Sequence, residues 1–113
     1  MTGTGDRRRR LWRLQTKVLA EEGAPVLFVE GRLGHQAKAE LERAVSRMRL
    51  AGAIVTIDLS GVDYISSAAL RVLAVFAERQ SAEGGRLVLR APSVVTRISL
   101  ELSGLMGLVE PRP

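Results

Sequence analysis

The run Ile54-Val55-Thr56-Ile57-Asp58-Leu59 constrains the fold of this chain more than any other stretch. It is continuously apolar apart from Thr56 and Asp58, so it reads as a strand buried on both faces, as in a sheet covered by helices. After a short loop come Ser66-Ser67-Ala68-Ala69-Leu70, which place two adjacent hydroxyls at the start of an amphipathic helix. That helix is expected over 68–81, with Ala69, Leu70, Leu73, Phe76 and Ala77 on one side and Glu83-Gly84-Gly85 ending it. A helix start presents unpaired N–H groups and a partial positive charge. A serine there caps the helix when bare and holds a phosphate when modified.

The remaining elements follow from the same periodicities. A first strand is expected around Leu14 to Leu19, a turn over Glu21-Glu22-Gly23-Ala24-Pro25, and a second strand over Val26-Leu27-Phe28-Val29. Gly31-Arg32-Leu33-Gly34 is expected to break that strand. Leu41, Ala44, Val45 and Met48 recur at i, i+3, i+4 and i+7, which predicts a helix from about Gln36 to Arg49. Arg86-Leu87-Val88-Leu89 reads as a further strand. Pro92-Ser93 marks the start of a third helix carrying Val94, Val95, Ile98, Leu102 and Leu105, with Gly104 placed to end it. Met106 to Val109 would add a short edge strand. Strand alternating with helix after an opening hairpin argues an α/β fold with a partly parallel sheet.

At 113 residues the chain is the size of one domain. Residues 1–10 show no hydrophobic periodicity and read as a disordered basic tail, with the folded domain over 11–113. The net charge of +5 is largely in that tail: residues 11–113 hold 13 Lys and Arg against 11 Asp and Glu, so the body is nearly balanced. With only four aromatic residues and no second basic stripe, direct DNA binding is not expected. Cysteine is absent, which excludes disulfides and thiolate metal sites and fits a reducing cytoplasm. No apolar run approaches the roughly 20 residues needed to span a bilayer. The N-terminus lacks the apolar stretch of a secretory signal.

Enzyme constellations are mostly missing. The single histidine, His35, sits in a polar loop and reads as a surface residue. Ser66 and Ser67 lack the flanking glycines of a nucleophile elbow, and no Gly-rich loop precedes a lysine. Glu21, Glu22, Glu40 and Glu42 read as solvated charges, and Trp12 as a residue at a sheet edge or near the tail. Asp58 reads as a hydrogen-bonding anchor at the strand end. The chain is expected to be no enzyme and to need neither cofactor nor metal.

The string Ile57-Asp58-Leu59-Ser60-Gly61-Val62-Asp63-Tyr64-Ile65-Ser66-Ser67-Ala68-Ala69-Leu70-Arg71-Val72-Leu73 resembles the STAS domain, the fold of bacterial anti-anti-sigma factors. Gly31-Arg32-Leu33, Gly84-Gly85-Arg86-Leu87-Val88-Leu89, Pro92-Ser93-Val94 and Ser103-Gly104-Leu105 extend the resemblance over roughly residues 14–110. It implies a four- to five-stranded mixed sheet covered by about three to four helices. In that family the phosphorylated serine follows an acidic residue and precedes a glycine. Laid on this sequence, the pattern puts the modified serine on Ser67, with Ser66 as second choice. Ser66 stands at the acidic position and Ala69 at the glycine, where its methyl would meet a partner. The docking surface would include Asp63, Tyr64, Ser66, Ser67, Ala69 and Arg71.

The resemblance implies an anti-sigma factor antagonist in the cytoplasm, monomeric when free. It would bind an anti-sigma factor that is also a serine kinase using ATP and Mg²⁺, and so release a sigma factor. Phosphorylation of Ser67 would end that binding, and a cognate phosphatase would reset it. Two alternatives share the fold: a STAS subunit regulating a membrane transporter from the cytoplasmic side, and a stressosome-like sensory or scaffold module.

Overall fold

The computed structural model describes residues 14–110. The arginine tail and Trp12 lie outside the described residues. Strand β1 (Gln15–Glu21) pairs antiparallel with β2 (Ala24–Leu33) through a two-residue turn. Both turn residues, Glu22 at φ 53° and Gly23 at φ 83°, are left-handed, which matches the right-handed twist of the flanking strands. Gly23 makes that conformation cheap; Glu22 adopts it against its side chain's preference.

A 3-10 turn (His35–Ala37) leads from β2 into helix α1 (Lys38–Met48), and β3 (Ile54–Ile65) then runs parallel to β2. Helix α2 (Ser67–Ala82) connects β3 to the parallel strand β4 (Arg86–Arg90). Helix α3 (Val94–Leu102) follows, then a second 3-10 turn over Met106–Leu108. The expected edge strand reduces to one parallel bridge between Val109 and Leu89. The result is a four-stranded mixed sheet, in the order β1-β2-β3-β4, with three helices.

Two strands are longer than their composition predicts. Gly31 does not break β2. It carries the chain through a bulge at φ 115°, and pairing resumes as Arg32 with Tyr64 and Leu33 with Ile65. The same pairing converts the expected loop after Leu59 into strand, so β3 ends immediately before the two serines. Ser60, Gly61 and Asp63 interrupt the apolar run and gave no strand signal; pairing with β2 holds this stretch extended.

Burial on both faces of β3 holds only over Ile57–Leu59. Val55, Ile57 and Leu59 are fully buried on one face; on the other, Asp58 is buried, whereas Ile54 is exposed and Thr56 half-buried. Strands β2, β3 and β4 lie in sequence order, so two crossovers of one hand put α1 and α2 on the same side. The core therefore joins Leu27, Val29, Val55, Ile57, Leu59, Leu87 and Leu89 to Leu41, Val45 and Met48 of α1 and to Leu73 and Phe76 of α2. A second departure concerns α3. Its buried residues are Thr96 and Leu100, and Val94, Val95, Ile98 and Leu102 face solvent.

Buried polar groups lock the connections. Gln80 of α2, fully buried, donates through Nε2 to the Leu50 carbonyl at 2.7 Å and the Ala53 carbonyl at 3.0 Å, pinning the α1–β3 loop. Arg49 and Glu83 form an ion pair across the same end of the molecule.

Candidate functional site

The hydrogen bonds at the start of α2 separate its two serines. Ser66 is extended (φ −85°, ψ 164°) and its hydroxyl accepts from the Ala69 amide at 3.2 Å, the geometry of an N-cap. Its own amide donates to the Leu33 carbonyl at 2.8 Å, which ties the helix start to the end of β2. Ser67 is the first helical residue. It is exposed, and among the described residues its hydroxyl has no hydrogen-bond partner. Ser66 thus holds the helix, and Ser67 is left to the solvent at its positive end.

The residues expected beside Ser67 differ in exposure. Asp63 and Tyr64 are exposed at the end of β3, and Arg71 is exposed one turn into α2. Residues four apart on a helix are neighbours, so Arg71 shares a face with Ser67. Ala69 does not belong to this surface. It is fully buried, so its methyl packs into the core and touches no partner. The glycine-to-alanine difference is therefore an internal packing change.

A residue with no motif signal of its own adjoins Tyr64. Arg32 lies opposite Tyr64 in the β2–β3 register, with its guanidinium 4.5 Å from the ring centroid. The residue is visible in Gly31-Arg32-Leu33, but only a strand continuing past Gly31 brings it to Tyr64. Beside this rim runs a groove of about 220 Å³ between α1 and α2, lined by Lys38, Glu42, Arg71, Val75 and Arg79 among others.

Asp58 is buried on the sheet and takes no part in this surface. Its carboxylate accepts from the Ser60 amide at 2.9 Å, the Ser60 hydroxyl at 2.6 Å and Arg90 Nε at 2.8 Å. Burial alone would push its pKa up, but the Ser60 and Arg90 hydrogen bonds outweigh burial and hold it below the usual aspartate range. Arg90 also donates to Glu21 at 2.8 Å and lies over the Phe28 ring, so one guanidinium ties β4 to β3 and β1. Asp58 is thus a hydrogen-bonding anchor, but it lies within β3, which continues to Ile65, and not at the strand end as expected. Among the described residues no cluster of His, Asp and Glu is placed to bind a metal, and no helix is long and apolar enough to cross a membrane.

A family model described as "Mlab, STAS domain" matches residues 17–110. No curated protein sequence matches the chain. Among solved structures, an anti-sigma factor antagonist from Mycobacterium paratuberculosis superposes with a TM-score of 0.76 at 28% identity, over 88% of this chain and 86% of that one. The anti-sigma factor antagonist SpoIIAA in its unphosphorylated form gives 0.65 at 19% identity, over 88% of each chain. The murine anion transporter Slc26a9 gives 0.69 at 12% identity, over 89% of this chain but 21% of the transporter. The last two share the fold.

Proposed function

The chain belongs to the STAS domain family, and on that premise we propose that it is an anti-sigma factor antagonist switched by phosphorylation of Ser67. The observation that carries this reading is the unequal employment of the two serines. Ser66 caps α2, whereas Ser67 is exposed with no bond to lose among the described residues. The similarity to the Mycobacterium paratuberculosis antagonist over most of both chains supports the same class.

In this reading the bare protein docks an anti-sigma factor through Asp63, Tyr64, Arg32, Ser67 and Arg71, and a sigma factor is released. The partner is also the kinase, and the chain acts as a binding module. Phosphorylation adds about −1.5 to −2 charge at the first turn of α2, where the helix start and Arg71 tolerate it. The fold then changes little. Binding fails because the interface must desolvate a charge where it met a hydroxyl, a cost of several kcal/mol and a loss of 100-fold or more in affinity.

The test is incubation with the cognate kinase and ATP, site mapping by mass spectrometry, and affinity measurement for the bare and modified forms. Phosphate on Ser67 with lost affinity is expected. Equal affinity of the two forms would overturn the switch. The shared fold with Slc26a9 supports a second reading, a subunit regulating a transporter. Capture of an ATP-binding transport subunit in place of a sigma-regulating kinase would select it.

A further inference from the structure

Helix α3 presents its most apolar face outward. Val94, Val95, Ile98 and Leu102 are 76%, 56%, 51% and 84% exposed, and Thr96 and Leu100 are fully buried. On a 3.6-residue period the four exposed residues fall in one arc of about 100° opposite the buried pair. The orientation is fixed from inside. The Ser93 hydroxyl caps the helix at the Thr96 amide (3.2 Å) and bonds the Thr96 hydroxyl (3.0 Å), which in turn reaches the Val62 carbonyl at 3.4 Å. Scattered apolar residues on a surface need no explanation, but a contiguous stripe along one helix marks an interaction site.

The charges beside the stripe identify the occupant. Arg97 and Glu101 flank it on one side, four residues apart, with the basic residue first, the weaker order for a pair within one helix. They form no ion pair with each other or with any other described residue. We infer that this face binds a second copy of the chain, through antiparallel packing of two α3 helices about a twofold axis near Ile98.

Such an axis, perpendicular to both helices, reverses direction and sets each flank against the same flank of the other copy. Ile98 then meets Ile98 and Val94 meets Leu102, and Arg97 of each copy lies about 3 Å along the axis from level with Glu101 of the other, within reach of two long side chains, twice. Parallel packing would set the charged flank against Ser99 instead and leave both charges unmatched. Only a self-complementary antiparallel pair uses every element of the face. A stripe on one nine-residue helix buries less than the roughly 1,200 Å² of a standard interface, so the dimer is weak and reversible, with Kd above about 1 µM. On this inference the free chain, expected as a monomer, is in monomer–dimer equilibrium. This inference does not depend on phosphorylation.

Sedimentation velocity of the full chain tests it, over about 10 µM to about 1 mM, the range that brackets weak association. The wild type is expected to shift from monomer to dimer. Arg97→Glu and Glu101→Arg each place like charges opposite one another and are expected to weaken association about tenfold or more. An equimolar mixture of these two variants restores both charge pairs and is expected to form a heterodimer, and the double variant R97E/E101R to self-associate like the wild type. Glu101 is exposed and Arg97 half-buried, and circular dichroism checks that each variant is folded. A wild type that stays monomeric throughout overturns the inference, including the case where residues 1–13 or an unrelated protein cover the stripe. So do single variants that associate as well as the wild type, or a mixture no tighter than its components.

Discussion

The Arg32 guanidinium lies 4.5 Å from the centroid of the Tyr64 ring, so the rim beside Ser67 is braced across two strands. An exposed stack of this kind contributes about 0.5–1 kcal/mol to folding. Arginine and tyrosine are also the side chains that dominate interfaces when desolvated. Arg32→Ala is therefore expected to change stability by less than about 1 kcal/mol. It should weaken anti-sigma binding about five- to tenfold. Calorimetric titration beside a denaturant melt separates the two effects; equal affinity for variant and wild type would remove Arg32 from the docking surface.

The two serines should respond differently to alanine. Ser66→Ala removes the N-cap and is expected to cost about 1 kcal/mol in urea unfolding while leaving phosphate uptake in place. Ser67→Ala should lie within about 0.5 kcal/mol of wild type and abolish phosphate uptake. The opposite pattern would reassign the switch to Ser66.

Acid should act through Asp58. Its folded pKa lies below the ordinary value of 3.8, so the folded state releases the proton more readily than the unfolded chain. The stability gained is complete above the unfolded pKa and is lost as pH falls through the folded one. Glu21 and Glu83 are lowered by Arg90 and Arg49 and add to the same acid limb. Asp58→Asn is expected to cost about 2 kcal/mol at neutral pH. Thermal melts across pH 2 to 7 should show a flatter acid limb for that variant; an unchanged limb would mean that Asp58 contributes nothing to it.

Gly85 is a packing requirement. A Cβ there would stand 2.1 Å from the Ala53 carbonyl oxygen, whose neighbouring backbone is fixed by Gln80 and by the start of β4. Gly85→Ala is expected to cost about 2 kcal/mol or more. Gly107→Ala, with nothing within 4 Å of its Cβ, should be close to neutral. Chemical denaturation of both variants checks the contrast.

Much of the candidate site was legible because it is local. A serine cap and the apolar period of α2 are properties of neighbouring residues; which of the two serines caps was decided by the structure, where the Ser66 hydroxyl accepts from the Ala69 amide. Arg32 was not legible as a site residue. Its contact with Tyr64 needs β2 to continue through a left-handed Gly31, and pairing with β3 decides that. Ala69 was read in two ways, on the apolar side of α2 by periodicity and on the docking surface by the family pattern, and its burial follows the periodicity.

Helix α3 divides the two kinds of information most clearly. The sequence by itself determined that a helix begins after Ser93 and ends before Gly104, because capping and left-handed termination act within a few residues. Its apolar positions Val94, Val95, Ile98 and Leu102 trace one arc, and that arc is the one that faces solvent, while Leu100, which the periodicity did not single out, is buried. Which face turns inward was decided only when Thr96 met the Val62 carbonyl on β3. Periodicity describes a helix about its own axis, and the direction of the core is a property of the neighbours it packs against.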